Sequence, residues 1–186
     1  MAVLGIESKS FKHIKEDNEE KPPKHWWKFD DYMTPKYAWE NIQHLIPRDK
    51  IIWEAFYGNA TSGQYLRELG FDVIHENVDF FNTNNGDIIV SNPPFSKTKE
   101  IMKRLHELDK PFILIMPVSK LCTQYMRNTF KQSDDPLQII IPAKRIHFIK
   151  VVDGEEVHDC ADKCYFDCFC YCWKIGLPND ITWLNN

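Results

Sequence analysis

Three consecutive aliphatic residues, Ile88, Ile89 and Val90, run into Ser91, Asn92 and two prolines, and this junction constrains the fold more than any other stretch. A short apolar run without polar alternation reads as a buried strand. Pro93 and Pro94 cannot extend a ladder, so the strand stops and the chain turns. Asn92 and Phe95 are thereby held on a stiff turn at the carboxyl end of a strand, where open α/β sheets keep their ligand crevices. An amide oxygen, a proline carbonyl and an aromatic face together suit a planar heterocycle bearing an exocyclic amine. Asn-Pro-Pro is also an ordinary loop opener, and Phe95 alone would serve equally as core. The context upstream favours the binding turn.

That context is a strand–helix rhythm. Residues 35–46 form a helix, with Thr34 placed to cap it, Pro35 in its first turn and Pro47 ending it. Residues 50–55 are a strand, 60–69 a helix stopped by Gly70, and 72–76 the next strand. After residues 87–91 come a helix at 97–108, a strand at 111–116, a helix at 120–130 and a strand at 137–141. Residues 145–152 and 155–158, around Asp153-Gly154, read as a hairpin, and residues 165–175 end the sheet. Alternation of this kind predicts a mainly parallel sheet with helices on both sides. Residues 1–24 are rich in Lys, Glu, Asp and Asn and are expected to be a loose arm, leaving 25–186 as one domain.

Six cysteines raise the question of zinc. Cys122 stands apart, and paired spacing occurs only as Cys160-x3-Cys164 and Cys164-x3-Cys168. Cys168, Cys170 and Cys172 alternate instead, sharing one strand face with Phe166, while Asp167, Phe169, Tyr171 and Trp173 share the other. Both faces from Cys168 to Trp173 are apolar, as in a doubly covered strand, so reduced thiols acting as small hydrophobes are expected, with no metal.

The formal net charge of −4 argues against a large non-specific nucleic-acid surface but allows local patches. Lys97, Lys99, Lys103 and Arg104 follow the Asn-Pro-Pro-Phe turn, and Lys144, Arg145 and Lys150 form a second basic group; either is a solvated face or a phosphate contact. Seven histidines lack metal spacing and a serine partner, which leaves nucleophilic hydrolysis unsupported. No apolar run approaches the roughly 18 residues of a membrane span, and residues 1–10 lack the apolar core of a secretory signal. An intracellular protein, cytoplasmic or nuclear and not secreted, is expected.

Asn92-Pro93-Pro94-Phe95 resembles the catalytic signature of the S-adenosylmethionine-dependent amino-methyltransferases, particularly the N6-adenine group. Other pieces follow in matching order over residues 32–96. Tyr32-Met33-Thr34-Pro35 resembles the segment that closes over the methionine part of the cofactor. Trp53-Glu54-Ala55-Phe56-Tyr57-Gly58 resembles the Asp-Pro-Phe-x-Gly loop, with Glu for Asp and Ala for Pro. Val73-Ile74-His75-Glu76 resembles the second strand with its terminal acid, and Asp79-Phe80-Phe81 the motif that holds the cofactor adenine. The resemblance implies a Rossmann-like class I methyltransferase fold: a mainly parallel seven-stranded sheet whose last strand is antiparallel. It also implies S-adenosylmethionine as cofactor, with Glu54 near its ammonium, Glu76 on its ribose diol, and Asp79 and Phe80 at its adenine. Gly58 would allow close backbone approach, and Gly63 would let the following helix pack against the sheet.

Asn92 and Pro93 would accept the two N–H groups of the target amine, and Phe95 would stack on the target ring. DNA adenine is favoured as substrate because Thr34-Pro35 precedes the cofactor loop, and because Arg145-Ile146-His147-Phe148 resembles small phage and viral DNA adenine methyltransferases. Structured-RNA or cap adenosine methylation uses the same turn, and protein-glutamine methylation one with Tyr in place of Phe. A silent binding subunit would keep the fold without turnover. No target-recognition domain is visible, so recognition is expected to come from short insertions, the arm, a second protomer or a partner subunit.

Overall fold

A computed structural model of the chain describes residues 30, 32–131, 133–152, 155–157 and 166–185. The expected arm at 1–24 and Cys160 and Cys164 lie outside the described residues. The ordered elements are β1 (Tyr32–Met33), α1 (Lys36–Ile42), β2 (Ile52–Trp53), α2 (Thr61–Glu68), β3 (Val73–Ile74), β4 (Ile88–Ser91) and α3 (Thr98–Leu108). They continue with β5 (Phe112–Pro117), α4 (Gln124–Phe130), β6 (Leu137–Ile141), β7 (Ile149–Val152), β8 (Glu155–Val157), β9 (Cys168–Trp173) and β10 (Ile181–Trp183). The fold is α/β, with a seven-stranded central sheet in the order β3-β2-β4-β5-β9-β6-β10. Six of these strands run parallel and β9 alone is antiparallel to its neighbours, an arrangement consistent with a Rossmann-like fold.

β2 precedes both of its neighbours in the chain, so the strand order reverses between β2 and β4. Right-handed crossovers leading away in opposite directions put α2 on one face and α3 on the other. α1 packs on α2, and α3 on α4. Between these layers β5 is buried along its whole length, as its unbroken Phe-Ile-Leu-Ile-Met run requires. Each such aliphatic side chain contributes roughly 1.5–3 kcal/mol by leaving water.

β9 follows the alternation read from its sequence. Cys168, Cys170, Tyr171, Cys172 and Trp173 are all buried, and Asp167 lies just outside the strand, ion-paired to Arg145 at 2.6 Å. Burial pushes the Cys170 thiol up to about 12 and raises that of Cys172 as well, so both stay protonated at neutral pH.

Several expectations need correction. The antiparallel strand is not the last: β10 follows it and pairs parallel to β6, Thr182 opposite Ile140. Inserting β9 between β5 and β6 leaves the far edge of β6 open, and the buried side chain of Gln138 turns the chain back to it. Its amide donates to the carbonyls of Leu177 (2.8 Å) and Asn179 (3.1 Å) and accepts from the Leu177 N–H (3.0 Å). The helix expected over 120–130 is split into a 3-10 stretch, Val118–Cys122, and α4. Thr123 separates them in extended conformation, its hydroxyl and N–H both donating to Lys120 O. The hairpin forms as β7 and β8, but residues 145–148 precede it, and it joins β1 in a separate sheet ordered β1-β7-β8. Thr34 is not the cap of α1: Pro35 occupies that position and the Thr34 hydroxyl makes no hydrogen bond. Among the described residues, no helix is long and apolar enough to cross a membrane.

Candidate functional site

The reversal of strand order opens a cavity of about 440 Å3 at the carboxyl ends of β2 and β4, the usual ligand position in open α/β sheets. The segment after β2 forms one wall. Ala60 N–H donates to Tyr57 O at 2.8 Å, and Gly58 sits at φ +52. A Cβ at Gly58 would lie 3.1 Å from Met33 Sδ, so glycine serves both the backbone conformation and the close approach of β1. Asn59 Oδ1 then accepts from the N–H (3.2 Å) and hydroxyl (2.7 Å) of Thr61, which starts α2. The opposite wall is Asn92 and Pro94 of the Asn-Pro-Pro turn, and Tyr32 and Met33 of β1 line the cavity as well.

Asn92 is held in one orientation. Its Nδ2 donates to Tyr32 O at 2.8 Å, and a carbonyl can only accept, so the amide oxygen must turn the other way. That oxygen is buried and has no partner. β1 owes its place to pairing with β7, Tyr32 opposite Lys150, so the hairpin fixes the asparagine indirectly. Phe95 is 7% exposed and does not line the cavity. It packs edge-on against Phe166 (5.4 Å) and Phe148 (6.4 Å), while its carbonyl accepts from Thr98 Oγ1 (2.8 Å) and Lys120 Nζ (2.9 Å).

Glu54 lines the cavity floor at 1% exposure. Ser91 Oγ donates to Oε1, and His75 Nε2 lies 2.7 Å from Oε2, at ion-pair distance but out of line for a hydrogen bond. Burial raises the Glu54 pKa; the His75 and Ser91 contacts act in the opposite direction. The imidazole fits because position 63 is glycine: a Cβ there would overlap the His75 ring. His75 and Ser91, which contact Glu54 without lining the cavity, are not singled out by the motifs, and neither are the lining residues Asn59, Ser62 and Asn77. A signal existed in the strand register, since Trp53 pairs with Ile74 and with Ile89. Glu54 therefore emerges beside His75 on one neighbour and near Ser91 on the other, and the extra methylene of Glu gives the carboxylate reach.

The remaining expected residues divide. Tyr32, Thr34, Phe56, Gly58, Asp79, Phe80 and Pro94 line the cavity along with Glu54 and Asn92; Pro35, Glu76 and Pro93 do not. Glu76 lies beyond the end of β3 and is exposed. Asp79 accepts from Phe81 N–H (3.0 Å) and from Asn82 Nδ2 (2.5 Å), each carboxylate oxygen keeping further acceptor capacity. Phe80 is buried against Phe56 (4.9 Å) and Trp53 (5.5 Å). Asp30 and Lys97 complete the rim, Asp30 accepting from Ser96 N–H at 3.0 Å. Among the described residues, no group of three or more His, Cys, Asp or Glu side chains is placed to hold a metal ion.

The cavity is of ligand-holding size and combines an apolar side (Phe56, Val78, Phe80, Phe81) with polar groups at Glu54, Ser62 and Asp79. S-adenosylmethionine, with an ammonium, a ribose diol and an adenine, fits these dimensions and this chemistry. The acid expected on its ribose, Glu76, is absent from the wall, where Asn77 stands instead. No protein-family model and no curated protein matches the chain.

Proposed function

We propose that the protein is an S-adenosylmethionine-dependent methyltransferase acting on the exocyclic N6 of adenine in DNA, built on the class I methyltransferase version of this fold. The observation that carries the reading is the Asn92 amide: its N–H side is tied to Tyr32 O, and its buried oxygen is left unpaired. An unpaired buried acceptor costs roughly 1–3 kcal/mol, and a substrate N–H would satisfy it.

S-adenosylmethionine supplies the electrophilic methyl group when bound. Glu54 would hold its ammonium, Phe56 and Phe80 would border its adenine, and Asp79 would accept from the adenine amine. Asn92 then addresses the weakness of an aromatic amine, whose lone pair is delocalised into its ring. With one N–H accepted by Asn92 Oδ1, the nitrogen is biased towards tetrahedral geometry. Its lone pair is thereby localised and aimed. An acceptor fixed before the step stabilises positive charge as it develops on the amine, and the proton leaves afterwards, so no general base is required. A duplex target would first have to leave its stack.

The test is to incubate the protein with labelled cofactor and separate DNA and RNA pools, then identify the modified nucleoside. N6-methyladenine in DNA is expected with wild type and not with Asn92→Ala. Cofactor binding without label in any nucleic acid would overturn the proposal.

A further inference from the structure

A second cavity, of about 510 Å3, opens further along the sheet, beyond the carboxyl ends of β6 and β10. Tyr37, Asn41 and His44 recur at helical spacing through α1 and the 3-10 turn that extends it (Gln43–Leu45), and they line this cavity with Lys144 and Trp183. Trp183 ends β10 with 70% of its surface exposed, and its ring has no aromatic or cationic partner among the described residues. Lys144 makes no ion pair among them either. A bare indole face beside an uncommitted ammonium, an amide and an imidazole is the chemistry that stacks a nucleobase and holds its phosphate.

The two cavities share one stretch of chain. Thr34 lines the first and Tyr37 the second, while Asn92 after β4 and Trp183 of β10 stand four strand positions apart in the sheet, about 19 Å at about 4.8 Å per step. A few nucleotides of one strand cover that distance, at about 3.4 Å each when stacked and more when extended. Bases inside a duplex stack on one another and offer Trp183 no free face, whereas an unpaired strand does.

We infer that the second cavity is a subsite for a nucleotide flanking the target adenine on an unpaired DNA strand, its base stacked on Trp183 and its phosphate held by Lys144. This rests on the nucleic-acid reading above. It makes the substrate a single strand rather than a paired helix.

The test uses a fluorescently labelled single-stranded oligodeoxynucleotide carrying one adenine in a run of thymidines, with binding followed by anisotropy. Trp183→Ala should weaken binding about 5- to 150-fold, the range found when one stacked base loses its aromatic partner. Trp183→Phe should recover most of the loss. Lys144→Gln should reduce the salt slope of binding by about one charge. Transfer to an oligomer too short to reach beyond the target adenine should be the same in Trp183→Ala as in wild type. Wild-type affinity in Trp183→Ala, or a change only in its oligomeric state, would overturn the subsite while leaving the methyltransferase proposal standing. Tighter wild-type binding to the paired duplex than to the single strand would also overturn it. Failure of wild type to bind or methylate any nucleic acid would instead overturn the reading beneath it.

Discussion

Within β5, β6 and β9, polar side chains that go inside are paired: Tyr171 OH donates to Pro117 O at 2.8 Å, Gln138 makes three bonds, and Trp173 Nε1 reaches Ser133 and Asp135. At the carboxyl ends of β2 and β4 the opposite holds. Thr34 Oγ1 and Asn92 Oδ1 are buried without partners, and Glu54 and His75 meet out of line. Each unpaired buried group costs roughly 1–3 kcal/mol. Buried polar groups are therefore satisfied within the first region and left open in the second. Substitutions in the two should separate folding from function.

The largest effect is expected in the first region. Trp173→Ala removes a buried ring packed on Phe112 and Phe130 and should lower unfolding free energy by roughly 3–5 kcal/mol in urea titrations. Cofactor affinity of the folded fraction should be unchanged. Asn92→Ala should do the reverse: turnover falls about 100- to 1,000-fold, as for removal of one preorganised polar group, while the denaturation midpoint hardly moves. Equal losses of stability and turnover in both variants would dissolve the contrast.

Gly63→Ala comes next. Alanine favours helix, yet its Cβ must displace the His75 ring. A destabilisation of roughly 1–3 kcal/mol is expected, together with weaker S-adenosylmethionine binding by calorimetry as Glu54 loses its support. A gain in stability would show that the imidazole moves aside freely.

The smallest effect concerns pH. Burial raises Glu54 above its ordinary 4.5, so the native state keeps a proton that the unfolded state has released. Its contribution to stability is fully present below 4.5 and is lost as pH rises through the raised value. Glu54→Gln carries no charge and should remove that part of the slope, measurable as urea midpoints across the acid and neutral range. An unchanged slope would place the titration elsewhere.

Much of the sheet was legible because local signals agreed with the global fold. The Ile88–Val90 run with its prolines and the alternating cysteines each admit one strand reading. β10 was not legible: three residues after Pro178-Asn179-Asp180 are too few for a period-two signal, and their approach is set by Gln138, which bonds residues 39 and 41 positions further on. The cavity wall was legible at Tyr32, Thr34, Glu54, Phe56, Gly58, Asp79, Phe80, Asn92 and Pro94. Glu76 was not, because β3 ends at Ile74, two residues before the strand end expected at 76. The role of His75 depends on cross-strand register, which a linear motif does not carry.

The insertion of β9 between β5 and β6 has a consequence for synthesis. β5 and β6 are consecutive parallel strands in the sequence, yet their partner in the middle emerges from the ribosome only after both, and after the β7–β8 hairpin. Until then two isoleucine-rich edges stand open, each a template for intermolecular pairing. Chains that terminate before Cys168 should therefore aggregate rather than persist as soluble partial folds.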